Sequence, residues 1–231
     1  MAFLDLIQHF TTLDFIAVGL IIFTWLSIGW WIEHPGMKRP SVTVLMSAYR
    51  RKWMQKFGER EVRIFDAQIL GGLRQGTAFF ASSSLLAIGG LLALIGSPEQ
   101  IGGLAMSFSE ATPPSVIYQI KLLLAGFFVV MAFLKFVWAN RLFGYCAVIM
   151  GAVPNEPDDT STPQRAGLAG EINVRAAMNF NRGLRAMYFA LASLIWLLGP
   201  WGLMIATVAT AWTLWSREFM SLSQQLLEDR F

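Results

Sequence analysis

Arg63, Asp66, Glu171, Arg175 and His34 are the side chains of this sequence suited to acid/base work on one surface. Asp66 follows Arg63 by three residues and Arg175 follows Glu171 by four, the spacings at which charged groups meet along a helix. The same spacings build structural ion pairs, which also gather charges in one place. In a chain this short the structural reading is the stronger. His9 and His34 fall on opposite sides of the first apolar stretch, so they cannot share a haem. Cys146 is the single cysteine, which excludes an intrachain disulfide and a multi-cysteine metal site. Ser82, Ser83 and Ser84 have no nearby histidine to serve as base. No phosphate-binding glycine loop, H-E-x-x-H or C-x-x-C is present, and Gly71-Gly72 and Gly89-Gly90 sit in an apolar helix rather than at a strand-to-helix turn. No catalytic residue, cofactor or metal is therefore assigned, and the chain leans away from being an enzyme.

The elements that position these residues are membrane elements. The 231 residues are 55% hydrophobic and 14% charged, against about 25% charged in a soluble domain. The first eleven residues contain Asp5 and no Lys or Arg, the wrong charge for a cleaved leader. A bilayer core of about 30 Å needs roughly 20 apolar residues in a helix. Four stretches qualify, at about 14–32, 73–97, 115–138 and 185–212. Lys121 and Lys135 lie near the ends of the third, where long stems reach the interface. The last stretch, Ala186 to Ser216, is long for one crossing and short for two, so Leu198-Gly199-Pro200-Trp201-Gly202 reads as a kink in one tilted helix.

Lysine and arginine placement sets the orientation. Glu33 to Arg74 holds nine of them and Arg141 to Arg185 five more, whereas the N-terminal residues and Glu99 to Ser115 hold none. Both basic connections should face the cytoplasm, leaving both termini outside. Trp30, Trp31, Trp138, Trp212 and Trp215 fall near span ends, where amphipathic rings favour the headgroup level.

Residues 41–57 follow a His34-Pro35-Gly36 turn, with Ser41 as N-cap. Val42, Leu45, Met46, Tyr49, Trp53 and Phe57 share one helical face, flanked by Arg50, Arg51, Lys52 and Lys56. This pattern suits a helix lying on anionic lipid, with Arg50, Arg51, Lys52, Trp53 and Lys56 at the surface. The alternative is a helix packed on the rest of the protein. Without a sizeable soluble domain, nucleic acid is not an expected partner. In the second basic connection a turn-forming loop, Val153 to Gln164, precedes a helix in which Glu171, Arg175, Asn179 and Arg182 form a polar stripe.

Gly58 should end the first of these helices, and another then emerges from the cytoplasm into the membrane. Along it Gly72, Gly76, Ser83, Ala87 and Gly90 form a narrow strip of small residues. Helices in lipid associate through close van der Waals approach and inter-helix hydrogen bonds, which such a strip permits. A permeation path lined by Ser82 to Ser84 is the rival, although the span carries no ionisable group at depth. Asp14 and Lys121 lie at comparable depth near the outer helix ends and are expected to pair.

Three passages carry a family resemblance: "RIFDAQILGGLRQGTAFFASSSLLAIGG", "EINVRAAMNFNRGLRAMYFALASLIWLLGPW" and "MSAYRRKWM". They resemble a family of bacterial and plant membrane proteins catalogued as domain of unknown function 599, over roughly Phe15 to Trp215. The resemblance implies a multi-span membrane protein without a settled activity. It also implies that Arg63, Asp66, Glu171, Asn173 and Arg175 form one cytoplasmic cluster.

The expected architecture is an all-α membrane protein: four transmembrane helices and one cytoplasmic interfacial helix in a single domain over residues 1–231, in the inner cell membrane. The expected function is interaction or assembly, as a homo-oligomer or an accessory subunit of a membrane complex. A small oligomeric transporter or channel is the alternative, which needs a wet cavity lined by Ser82 to Ser84 and closed by the polar cluster. A lipid- or quinone-handling enzyme comes third, and needs paired ionisable groups in a groove beside the interfacial helix.

Overall fold

The computed structural model describes residues 9–34, 39–97, 114–155 and 159–228. The connection 99–113, the Pro35-Gly36 turn and residues 156–158 of the second loop lie outside the described residues. All regular elements among the described residues are helical: α1 (Thr12–Glu33), α2 (Val42–Gly58), α3 (Ile64–Ile95), α4 (Ser115–Gly151), α5 (Thr162–Leu194), a 3-10 turn (Ile195–Leu198), α6 (Pro200–Phe219) and α7 (Leu222–Glu228). Among them α1, α3 and α4 are long and apolar enough to cross a membrane. At 1.5 Å per residue, α3 and α4 extend about 48 and 55 Å, well beyond the apolar core they would cross.

The length of α4 is matched by its pattern. Tyr118, Leu122, Ala125, Val129, Ala132, Phe136, Ala139, Phe143, Cys146 and Met150 step by four and three alternately, and each is at most 7% exposed. This is a heptad seam. On α3 the buried positions are Asp66, Leu70, Thr77 and Ser84, again at heptad spacing. The glycine strip is therefore not the internal seam: Gly72, Gly76 and Gly90 are exposed, and Ser83 and Ala87 half-buried.

A single domain is the sequence expectation, whereas the contacts separate two compact units. One contains the described parts of Met1–Trp31, Ser84–Ala132 and Leu184–Ser216. Ala17 and Ile21 of α1, Phe128 of α4 and Phe189 of α5 are fully buried there. Phe128 lies 6.0 Å from the Phe189 ring and 5.4 Å from Trp25, edge-on. Thr11 and Asp14 form a capping box at the start of α1: Asp14 N donates to Thr11 Oγ1 at 3.3 Å and Thr11 N donates to Asp14 Oδ2 at 3.0 Å. The Trp196 indole donates to Asp14 Oδ1 at 2.7 Å. The expected Asp14–Lys121 ion pair is not formed; the Lys121 ammonium lies 5.7 Å from the Trp196 ring, so both charges meet the same indole.

The end of α5 corrects the single kinked helix. Gly199 adopts φ 114, a backbone region closed to residues with a Cβ, and Pro200 then opens α6. The chain folds back so tightly that a Cβ at Gly202 would sit 3.1 Å from the Ile195 carbonyl. What reads as one span is two helices.

The other unit contains the described parts of Ile32–Ser83, Phe133–Gly183 and Arg217–Phe231. Met54 and Phe57 of α2, Leu70 of α3, Phe143 and Cys146 of α4, and Ala169 and Ala176 of α5 form its core. Ser41 caps α2 as expected, accepting from Val44 N at 3.2 Å, and its hydroxyl donates to the Ile32 carbonyl at 2.7 Å. Glu218 receives Thr43 N at 3.0 Å and Thr43 Oγ1 at 2.9 Å, fixing the end of α6 to the start of α2.

Candidate functional site

The polar residues of this second unit are brought together through α2. Its buried face runs through Leu45, Met54 and Phe57, turned from the sequence-derived face toward Arg50. Asp66, in the first turn of α3, is completely buried, where a negative charge suits the helix N-terminus. Its Oδ1 accepts from the Trp53 indole at 2.6 Å and from the Arg60 guanidinium. Oδ2 has no hydrogen-bond partner among the described residues. A buried carboxylate is tolerable only when paired and hydrogen-bonded, so Arg60 and Trp53 define how α2 meets α3.

The expected Arg63–Asp66 pair is absent, because Arg63 turns the other way. Its Nη1 and Nη2 donate to the carbonyls of Val153 and Pro154 at 2.8 and 2.7 Å, while its guanidinium lies 4.8 Å from the Phe57 ring. Arg165 Nη1 donates to the Ala152 carbonyl at 2.6 Å. Two cations thus occupy the C-terminal end of α4, where carbonyls lack helical partners and the helix dipole is negative.

Asn173 is buried and links three helices. Its Oδ1 accepts from Arg50 Nη1 at 2.6 Å, and its Nδ2 lies 3.7 Å from Cys146 Sγ. The thiol in turn lies 3.5 Å from the Ala169 carbonyl. Glu171 pairs across helices with Arg51 rather than along α5 with Arg175; Arg51 Nε lies 2.5 Å from Oε1 and Nη2 3.2 Å from Oε2. The Arg51 hydrogen bond holds the Glu171 carboxyl below the usual glutamate range. Arg175 is exposed. Four of the five residues of the implied cluster consequently fall into three arrangements, a buried carboxylate, a helix cap and an α2–α5 contact, and Arg175 belongs to none of them. They make structural bonds and do not converge on a common space.

The interfacial residues divide in the same way. Arg50 and Trp53 point into the protein and Arg51 binds Glu171, whereas Lys52 and Lys56 are exposed, Lys56 with Glu59 at 2.7 Å. The packed-helix alternative describes α2 better than a helix held only by lipid. Sequence reasoning missed Glu33, which binds Arg182 Nε through both carboxylate oxygens at 2.9 and 3.1 Å. It also missed Gly183, where an ideal Cβ would lie 2.6 Å from Phe136 Cε1. The heptad spacing of Gly183 with Ala176 and Ala190 is the signal that marks it. Among the described residues no group of three or more His, Cys, Asp or Glu side chains is placed to hold a metal ion.

An all-helical chain with three membrane-length apolar helices, joined by buried polar caps, has the build of an integral membrane protein. The family model described as "Protein of unknown function, DUF599" matches residues 16–223, and the chain belongs to that family. No curated protein and no solved structure matches it.

Proposed function

We propose that the protein is a membrane-embedded assembly protein whose outward α3 face binds another transmembrane helix, a second copy of the chain being the simplest partner. The supporting observation is the state of the glycines. A Cβ added at Gly71, Gly72, Gly76, Gly89 or Gly90 would meet nothing within 4 Å, and Phe79 and Leu86 stand exposed beside them. These residues permit a backbone approach that their own chain does not use, and close approach is what drives helix pairing in lipid. Oxidising Gly76→Cys in membranes tests this, since native Cys146 is buried. The expected product is a disulfide-linked dimer, with Gly76→Leu reducing the native species to monomers. Absence of cross-linking together with an unchanged native mass for Gly76→Leu would remove the reading.

The topology we infer has five crossings, α1, α3, α4, α5 and α6, with the N-terminus outside and the C-terminus in the cytoplasm of the inner membrane. Two fixed ends support it: Trp196, before α6, binds Asp14 at the start of α1, and Glu218, at the end of α6, binds Thr43 just beyond α1. At 1.5 Å per residue α6 is about 30 Å long, the length of one crossing. The basic segments then all face the cytoplasm. A reporter fused after Phe231 should be active on the cytoplasmic side; activity outside would restore an even number of crossings.

The channel reading loses its lining. Consecutive helical residues point about 100° apart, and Ser82 is exposed, Ser83 half-buried, and Ser84 buried 3.9 Å from Met187 Sδ.

A further inference from the structure

A half-enclosed cavity of about 370 Å³ opens between the end of α2 and the cytoplasm-proximal parts of α3 and α4. Phe57, Leu70 and Met150 form its apolar walls, and Arg63, Arg74 and Asn155 supply its polar groups. The volume falls within the range of about 300–1,000 Å³ common to small-molecule sites. The two cations differ from three other arginines of this unit. Arg51, Arg60 and Arg182 each have a carboxylate partner. Arg63 donates only to neutral carbonyls, so its hydrogen bonds leave its charge unbalanced. Arg74 makes no hydrogen bond or ion pair among the described residues. Its guanidinium lies over bare α4 backbone, Nη2 being 3.9 Å from an ideal Cβ on Gly144. No carboxylate is among the described residues lining the cavity.

Depth supplies the second constraint. Arg74 is the last charged residue before the uncharged stretch of α3 that begins at Gln75, so its side chain marks the hydrocarbon edge. A guanidinium there, beside apolar walls and a second guanidinium, fits an anion that carries an apolar tail. Arginine binds phosphate through paired N–H donors, and basic pockets between transmembrane helices suit lipid headgroups.

We propose that this cavity seats the phosphate of an anionic membrane lipid between Arg63 and Arg74, with the start of its acyl chains against Phe57, Leu70 and Met150. The site rests on the embedding of α3 and α4 in a membrane and borders the α3 pairing face at Gly71, so the lipid and the oligomer are read separately in one native mass-spectrometry experiment. The full chain in detergent is titrated with phosphatidylglycerol and with phosphatidylcholine of the same acyl composition. Phosphatidylglycerol should be retained preferentially, and Arg74→Gln should weaken it about tenfold, the scale of one lost charge-assisted hydrogen bond. Arg74→Lys, which keeps the charge without the paired donors, should fall between them. Lys52→Gln, an exposed charge on α2, should leave retention unchanged. Equal retention of both lipids, or unchanged retention in Arg74→Gln, would overturn the proposal. Full displacement by millimolar inorganic phosphate would also overturn it, because the site would then take a free anion.

Discussion

Replacing Gly183 with alanine places a methyl where the Phe136 ring already lies, 2.6, 2.8 and 2.9 Å from Cε1, Cδ1 and Cζ. All three distances are below van der Waals contact, so ring or backbone must move. The ring has little freedom: Phe136 is fully buried, 5.4 Å from the Phe80 ring and 5.5 Å from that of Phe180. Overpacking of this kind costs about 1–3 kcal/mol, offset by about 1 kcal/mol from the better helix propensity of alanine. A net loss of up to about 2 kcal/mol remains, and for a chain of this size it lowers the unfolding midpoint by up to roughly 8 °C. Gly167→Ala, on the same helix, is the matched control: a Cβ there meets nothing within 4 Å, so propensity acts alone and the midpoint holds or rises. Thermal scans of intrinsic tryptophan fluorescence in detergent compare the two. Adding Phe136→Leu to Gly183→Ala should recover most of the loss, because the two positions touch and their effects are not additive. If Gly183→Ala were as stable as Gly167→Ala, the close approach of α4 and α5 at this level would not depend on a glycine.

Arg60→Gln leaves the buried Asp66 carboxylate with Trp53 as its remaining donor, at a cost of about 3 kcal/mol. Arg51→Gln breaks a half-exposed pair and should cost less than about 1 kcal/mol; equal shifts in denaturant midpoint would show that Asp66 does not anchor α2 to α3. The Glu171 carboxyl is held below its ordinary value of 4.5 by Arg51, so its contribution is complete above that value and is lost as pH falls through the depressed folded value. Wild-type stability should therefore drop slightly more than that of Glu171→Gln as pH is lowered through this window, and parallel pH–stability curves would refute the coupling. Trp196→Phe removes the indole donor to Asp14 and should cost about 1–2 kcal/mol, read as a lower midpoint in the same thermal scans.

What the sequence displayed well was whatever depends on one helix at a time. The Ser41 cap, the ending of α2 at Gly58 and the continuity of α3 from a charged start into an apolar body all follow from local chemistry. The capping box of Thr11 and Asp14 was equally legible as a T-x-x-D preceding an apolar run, yet Asp14 invites a search for a distant cation instead. Partner choice was not legible. Arg63 stands at helical spacing from Asp66 whereas Arg60, six residues away, does not, yet Arg60 makes the pair and Arg63 turns to the Val153 and Pro154 carbonyls at the end of α4. The break at Gly199 hid for a related reason. Gly-Pro can bend a helix or end it, and the outcome depends on whether the following helix packs back, as Gly202 does against Ile195. The glycine strip and Gly183 separate on the same ground: a small residue permits close approach, but the facing side chain determines whether approach occurs.

The basic cluster that orients the chain has a second role that limits the first reading of it. Arg50, Arg51, Lys56, Arg60 and Arg63 each bond an acceptor of the protein itself. A cation held by a buried carboxylate or a helix end offers less of its charge to a lipid surface, so counting arginines overstates how strongly α2 attracts an anionic leaflet. The same pairing makes the exceptions informative. Arg74 has no acceptor among the described residues and shares a cavity with Arg63, whose hydrogen bonds go to uncharged carbonyls. A guanidinium held at the edge of hydrocarbon without a counter-charge is costly, and an anionic headgroup removes that cost. Charge neutralised within the fold therefore stitches the helices together, and the charge left over marks where a ligand of opposite sign belongs.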